Sequence, residues 1–417
     1  MTSIRTCRFC KAELTATFVD LGATPLANSY LSVADLAAGR DVAYPLLVRV
    51  CGSCFLVQAE DPVSPEAIFS DYSYFSSYSD TWVEHARRYA EAMTERFGLS
   101  AGSLVVEIAS NDGYLLQHFL AKGIPVLGVE PAGNVAEAAR AKGIATEVAF
   151  FGRDTARQLA ERGVVANLMA ANNVLAHVPD IGDFVGGFAV LLAPDGVATF
   201  EFPHLLNLIA ETQFDTIYHE HFSYLSLGTV ERVLASAGLR AFDVEQWPTH
   251  GGSLRVFACH VAADHVETPR LAEVRAREAS AHLGDLSGYV GFAEQVEAVK
   301  ASFRSFLAEA RAAGKTVAAY GAAAKGNTFL NVCGVTRDDI GQVFDRSLAK
   351  QGRFLPGSHI PVLSPDVIRT VRPDYLVILP WNLQGEISRL LDFITEWGGQ
   401  FVVAVPRTRI IEAVQAS

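Results

Sequence analysis

Apolar residues come in short unbroken runs, separated by longer stretches in which they recur at helical spacing. That alternation predicts strands buried on both faces with helices between them, an α/β architecture. The stretch the chain is built around is Leu104-Val-Val-Glu-Ile108, rich in β-branched residues with Glu107 set among them. The small or turn-forming residues Ala109, Ser110, Asn111, Asp112 and Gly113 follow it, and then an apolar pattern of helical period. A strand, a tight turn and a helix leave backbone N–H groups at a sheet edge, where α/β folds bind nucleotide-like ligands. The turn lacks a full G-x-G-x-x-G string and is a weak signal by itself. Ile124–Glu130 reads as a second strand ending in an acid 17 positions after Gly113. A carboxylate there can accept both hydroxyls of a ribose; the plainer reading is a surface Glu on an ordinary βαβ unit. Ala145–Gly152 predicts a third strand and its loop, where Phe150 or Phe151 could stack on an adenine ring. Val164–Asn173 predicts a fourth, followed by His177-Val-Pro-Asp180, and Val197–His204 a further one. A helix over Trp82–Phe97 leads into this series.

The early strands with these turns resemble a class I S-adenosylmethionine (SAM) methyltransferase. From Lys315 the α/β pattern restarts: a strand, the small-residue turn Gly321-Ala-Ala-Ala-Lys325-Gly326, and a helix start. Val343–Asp345 and Tyr375–Pro380 read as later strand ends, and Phe401–Pro406 as the strand closing the sheet. This predicts a second Rossmann-like domain without a Walker motif. The stretch 270–312, rich in Ala, Glu, Leu and Arg, supplies connecting helices.

Six cysteines add a third module. Cys7 and Cys10 form one C-x-x-C, Cys51 and Cys54 a second, and Cys259 and Cys333 stand apart as core thiols. Two such knuckles read as a tetrahedral thiolate zinc site, structural because every position is filled by sulfur. Disulfides are the competing idea and suit a reducing compartment poorly. The expected order is a zinc-binding domain over 1–70, a SAM-binding domain over 71–265 and a Rossmann-like domain over 266–417. With 417 residues the chain has room for these cores, and half its residues are hydrophobic against 19% charged. A net charge of −12 argues against nucleic-acid or anionic-membrane partners. No signal pattern or membrane-length apolar run is seen, so the expectation is a cytoplasmic protein.

The stretch Tyr218-His219-Glu220-His221 concentrates proton-handling groups. An imidazole takes a proton near neutral pH, a carboxylate can orient it, and a phenol can donate to an oxygen that becomes anionic. Together they suit proton abstraction beside a carbonyl; metal ligation and a satisfied structural cluster remain the alternatives. The Tyr- and Ser-dense stretch 69–80, including Tyr72 and Tyr74, reads as a lid over a polar ligand or as a packed linker.

The two C-x-x-C pairs, Glu107–Gly113, Tyr218–His221 and Gly321–Gly326, taken in that order, resemble the zinc-containing sugar C-methyltransferases, such as the C-3'-methyltransferase of tetronitrose biosynthesis. The resemblance covers nearly the whole chain. It implies SAM and structural zinc as cofactors, and a dTDP-linked 4-keto-deoxysugar methylated at C3. By that resemblance His221 is the general base, Glu220 orients or assists it, Tyr218 hydrogen-bonds the sugar or enolate, and His177 polarises O4. Glu107, Ala109, Asn111, Gly113, Glu130 and Asn173 line the SAM site, with Tyr72 and Tyr74 as its cover. The substrate's phosphates need local cations: Lys325 with the N–H groups around Gly326 and Asn327, and more weakly Arg255, Arg346 and Arg353. A monomer is expected. The competing readings are an O- or N-methyltransferase and a non-enzymatic zinc-containing adaptor.

Overall fold

The computed structural model describes residues 6–60 and 76–411. Its strands, in chain order, begin with β1 (Ala16–Pro25), β2 (Ala43–Val50) and β3 (Val57–Ala59), an antiparallel set beside the cysteines. The helix Asp80–Phe97 follows: Ser79 caps it by accepting from the Trp82 N–H, and Gly98 ends it at φ +59°. Then come β4 (Val105–Ile108), β5 (Val126–Val129), β6 (Thr146–Glu147), β7 (Ala166–Asn172) and β8 (Leu192–Pro203). The short β9 (Ser223–Tyr224) turns back to pair with β3, Val57 opposite Tyr224. A hairpin of β10 (Leu239–Trp247) and β11 (Ser253–His260) follows. The central sheet among the described residues runs β6-β5-β4-β7-β8-β11-β10, parallel except for β11.

The last sheet contains β12 (Val317–Tyr320), β13 (Val343–Phe344), β14 (Val362–Leu363), β15 (Tyr375–Ile378), β16 (Gln400–Val403) and β17 (Arg409–Ile411). Its order is β14-β13-β12-β15-β16-β17. Chain order reverses between β12 and β15, and such a switch point opens a crevice at the strand ends. The run Phe401–Pro406 does not close this sheet. The antiparallel β17 does, pairing Val402 with Ile410; its polar Arg409 and brevity hid it from a hydrophobic-run reading.

Packing locks the modules together. Phe18 of β1 stacks on Phe292 at 4.4 Å, and one core unites β1 and β2 with the helix Phe292–Ala312 and with Val343, Val377 and Val402. Each such fully buried Phe contributes about 1.5–3 kcal/mol. Cys7, Cys51 and Cys54 belong instead to the central core, with Phe188, Phe200 and Phe202. The cysteine module is thus wedged between the other two units. Among the described residues no helix is long and apolar enough to cross a membrane.

Candidate active site and zinc centre

The two knuckles share one backbone geometry. Lys11 and Phe55, each following a C-x-x-C, sit at φ 62° and 60° and return N–H bonds to the Cys7 and Cys51 carbonyls. This winding gathers Cys7, Cys10, Cys51 and Cys54 with their sulfurs all within 4.8 Å of one another. The closest pairs, Cys7–Cys54 and Cys10–Cys51, are 3.5 Å apart. A tetrahedron with 2.3 Å zinc–sulfur bonds has edges of about 3.8 Å. N–H donors from Gln58 to Cys7, and from Ser53 and Cys54 to Cys51, stabilise thiolates. Donor set and spacing fit zinc.

The cofactor cleft lies at the ends of β4, β5 and β7. The turn after β4 takes Ala109 and Asn111 to φ 53° and 49° and Gly113 to 77°. Non-glycine residues held there cost about 1–3 kcal/mol each. A Cβ at Gly113 would lie 2.3 Å from Ile144. Glu130 secures the turn: its two oxygens accept the N–H groups of Asn111 and Ala132, both at 2.9 Å. Around it Glu107 Oε2, Ser110 Oγ, Asp112 Oδ1, Asn172 Oδ1 and Asn173 Oδ1 are buried without protein partners among the described residues. Burial raises the Glu107 carboxyl, and the nearby Glu130 and Asp112 add to this. Such a group of buried polar oxygens suits a polar ligand able to donate hydrogen bonds. SAM, with an ammonium, ribose hydroxyls and an adenine amine, meets that need. Phe151 is unavailable for stacking because it packs edge-on against Phe184 and Phe188, whereas Phe150 is exposed. Tyr72 and Tyr74 lie outside the described residues; Ser76 next to them donates to Asn111 Oδ1 at 2.9 Å.

Beside this cleft His177, Tyr218 and His221 come together. The His177 and His221 rings are 4.6 Å apart and T-shaped; Tyr218 lies 4.0 Å from His221. His221 Nδ1 is 2.7 Å from the Thr216 carbonyl, and His177 Nδ1 is 2.8 Å from the Glu220 carbonyl. A carbonyl only accepts, so both Nδ1 atoms carry the proton and both neutral rings keep their lone pair on Nε2. Burial holds His221 well below the usual imidazole range and His177 at about 4. The Glu220 carboxylate does not orient His221: it accepts from Asn28 Nδ2 at 2.7 Å, facing the N-terminal module, and the Thr216 carbonyl orients the ring instead. His219 bonds the Pro45 carbonyl and is a structural neighbour.

At the switch point Lys325 extends over the Trp381 ring, 4.7 Å from its centroid, and donates to Asn382 Oδ1. Trp381 Nε1 donates to Asp215, whose carboxyl is raised by burial, against the pull of the Lys325 charge. Gly326 permits close helix–strand packing, since a Cβ would meet Leu379 at 2.7 Å. Asn327 is not placed for phosphate: its N–H bonds the Ala323 carbonyl and its amide the Ala27 carbonyl. Arg353 is exposed and donates to the Tyr30 carbonyl.

Family profiles match three consecutive stretches: a zinc binding domain over 7–69, a methyltransferase domain over 82–244, and a C-methyltransferase C-terminal domain over 248–406. The C-methyltransferase NovU of Streptomyces niveus is 40% identical over 407 residues, spanning 98% of this chain and 97% of that protein. The chain belongs to the zinc-containing, SAM-dependent C-methyltransferases. A ubiquinone biosynthesis O-methyltransferase of Rhodopseudomonas palustris is 24% identical over 34% of this chain and 64% of its own length. The magnesium protoporphyrin IX methyltransferase of Synechocystis PCC 6803, solved with SAH, has a TM-score of 0.35 at 15% identity, over 43% of this chain and 83% of that one.

Besides Asn327, a second predicted substrate residue of this C-methyltransferase, Arg255, is corrected by the structure. Arg255 lies on β11 inside the sheet, and only 1% of its surface is exposed. It donates to Glu201 at 2.6 and 3.0 Å and to Glu245 at 3.1 Å, so no face remains for a phosphate. Burial alone would raise Glu201; the His85 hydrogen bond and the Arg255 charge overcome it and hold the carboxyl at about 2. Replacing Arg255 with methionine strands that carboxylate and is expected to cost about 3–5 kcal/mol, read as a lowered urea midpoint. An unchanged midpoint would return Arg255 to the substrate. His250 and Trp381, absent from the sequence-based set, also border the cleft; the backbone angles at His250 are the signal for it, and no sequence string carries them.

Proposed function

We propose that this C-methyltransferase methylates C3 of a dTDP-linked 4-keto-deoxysugar, working as a cytoplasmic monomer with domains bounded near residues 70 and 265. The supporting observation is the imidazole pair: two neutral rings, each with Nδ1–H fixed on a backbone carbonyl and the basic Nε2 on the opposite side. Such a pair suits a carbon acid, in which one ring removes a proton and the other binds the adjacent oxygen. In this reading His221 Nε2 takes the C3 proton, and the electron pair moves into an enolate over C3, C4 and O4. His177 and Tyr218, whose rings lie 4.6 and 4.0 Å from that of His221, hold that oxygen. Bound SAM supplies an electrophilic methyl group for the nucleophilic carbon. Glu107, Ala109, Asn111, Gly113, Glu130 and Asn173 hold and orient SAM, and the chain's share of the rate comes from positioning and electrostatics. Glu220 acts through its backbone carbonyl on His177, and Lys325 is the cation for the substrate's diphosphate.

The test is incubation with SAM and dTDP-4-keto-6-deoxysugars. The expected result is a mass gain of one methyl and, in D2O with S-adenosylhomocysteine, exchange of the C3 proton. Methyl transfer to an oxygen or nitrogen with no exchange would replace this reading with that of a heteroatom methyltransferase. A pH profile adds a second check. Because burial lowers the imidazole pKa of His221, the base is unprotonated through neutrality; activity should hold across pH 7–8 and fall only in acid, below the ordinary histidine range of about 6.5. Loss of activity already between pH 8 and 7 would exclude His221 as the base.

A further inference from the structure

The turn between β10 and β11 runs left-handed for three consecutive residues: His250 at φ 55°, Gly251 at 91° and Gly252 at 109°. Space demands both glycines, since a Cβ at 251 would meet Trp381 at 2.5 Å and one at 252 would meet Asn207 at 2.2 Å. His250 has neither excuse. Glycine or asparagine would hold this conformation more easily, and an imidazole-bearing residue there is strained by about 1–3 kcal/mol. The strain delivers the ring edge-on to Trp82, 5.5 Å between centroids, with Nδ1 buried and without a partner among the described residues. A structural turn gains nothing from an unsatisfied buried nitrogen.

The surroundings identify what the ring would bind. Burial, reinforced by the Lys325 charge, keeps His250 neutral with a pKa of about 4, so it offers one N–H and one lone pair. Lys325, whose charge reaches His250, donates to the neutral Asn382 amide at 2.8 Å and lies over the Trp381 ring, which packs against Gly251. Asp215 is within electrostatic range of this ammonium but forms no salt bridge with it among the described residues. A cation lacking a counter-ion in contact, within electrostatic range of an imidazole lacking a partner, suits an anionic oxygen. The same ammonium acts electrostatically on His221. In a nucleotide-sugar the diphosphate hangs from C1, two bonds from C3, so it must lie close to the base.

We propose that His250 is a substrate-binding residue which, together with Lys325, holds a phosphate oxygen of the acceptor's diphosphate. This rests on the nucleotide-sugar reading above. The test is calorimetric titration of the zinc-loaded, SAH-saturated full chain with dTDP and with thymidine. His250→Gly keeps the left-handed backbone and removes the ring; His250→Asn keeps the backbone and an N–H. The glycine variant should bind dTDP about tenfold or more weakly, with thymidine and SAH affinities and Tm held or Tm raised, and asparagine should recover part of the loss. With the sugar substrate, KM should rise more than kcat falls. Equal dTDP affinity in wild type and His250→Gly overturns the inference and leaves the nucleotide-sugar reading intact, and a parallel loss of SAH affinity assigns His250 to the fold. A wild-type chain that does not bind dTDP overturns both.

Discussion

Replacing His221 with asparagine is expected to reduce kcat for methyl transfer by about 10²–10⁴-fold, the usual worth of a positioned general base. Asparagine retains a donor for the Thr216 carbonyl, which His221 Nδ1 approaches to 2.7 Å, so the loop Thr216–Phe222 should keep its form. What is lost is the basic nitrogen. SAH should bind the variant as it binds the wild type, because the cofactor turn is held by Glu130, Ser76 and Lys142. C3 proton exchange should fall in step with methyl transfer. Retained exchange with slowed transfer would give the proton to another group, and His177, 4.6 Å away, would be the first to examine.

Stripping the zinc is expected to have the larger structural effect. Structural zinc in small modules contributes about 10–16 kcal/mol of apparent binding free energy, which is folding free energy. Without the ion, four sulfurs within 4.8 Å lack what holds them together. The loss reaches the active site through the loop Ala27–Leu31. There Asn28 donates to Glu220, Tyr30 donates to the Ala322 carbonyl, and Leu31 bridges to Phe354. Metal analysis should give one zinc per chain. Chelation, or Cys51→Ser, should lower the unfolding temperature and abolish methyl transfer together. A zinc-free protein with full activity and an unchanged Tm would show that the cysteines serve another purpose.

Much of this site was legible locally. Val105–Ile108 has three β-branched residues among its four, enough to mark a buried strand despite Glu107, and the small residues after it leave few options but a turn. Each C-x-x-C brings its own two sulfurs together by short-range geometry, and the repeated motif signals that the two knuckles meet, Cys7 at Cys54 and Cys10 at Cys51. Arg255 was misread for the opposite reason. A lone arginine beside glycines looks available until β8 and β11 pair and place Arg255 opposite Glu201. The strand β17 was unmarked because it is three residues long and carries the polar Arg409, and β11 joins the central sheet through β8, some fifty residues earlier in the chain.

The amino-acid sequence by itself determined the α/β units, the thiolate set and the presence of a base-bearing Tyr-His-Glu-His stretch, since each follows from residue types a few positions apart. Tertiary structure alone decided which carbonyl fixes each imidazole, that Glu220 faces Asn28, that Arg255 is internally neutralised, and that His250 and Lys325 flank one cleft. Apart from the five-residue contact between His221 and Thr216, those outcomes depend on pairings across tens to hundreds of residues, where burial and hydrogen-bond satisfaction, rather than local propensity, select the partner.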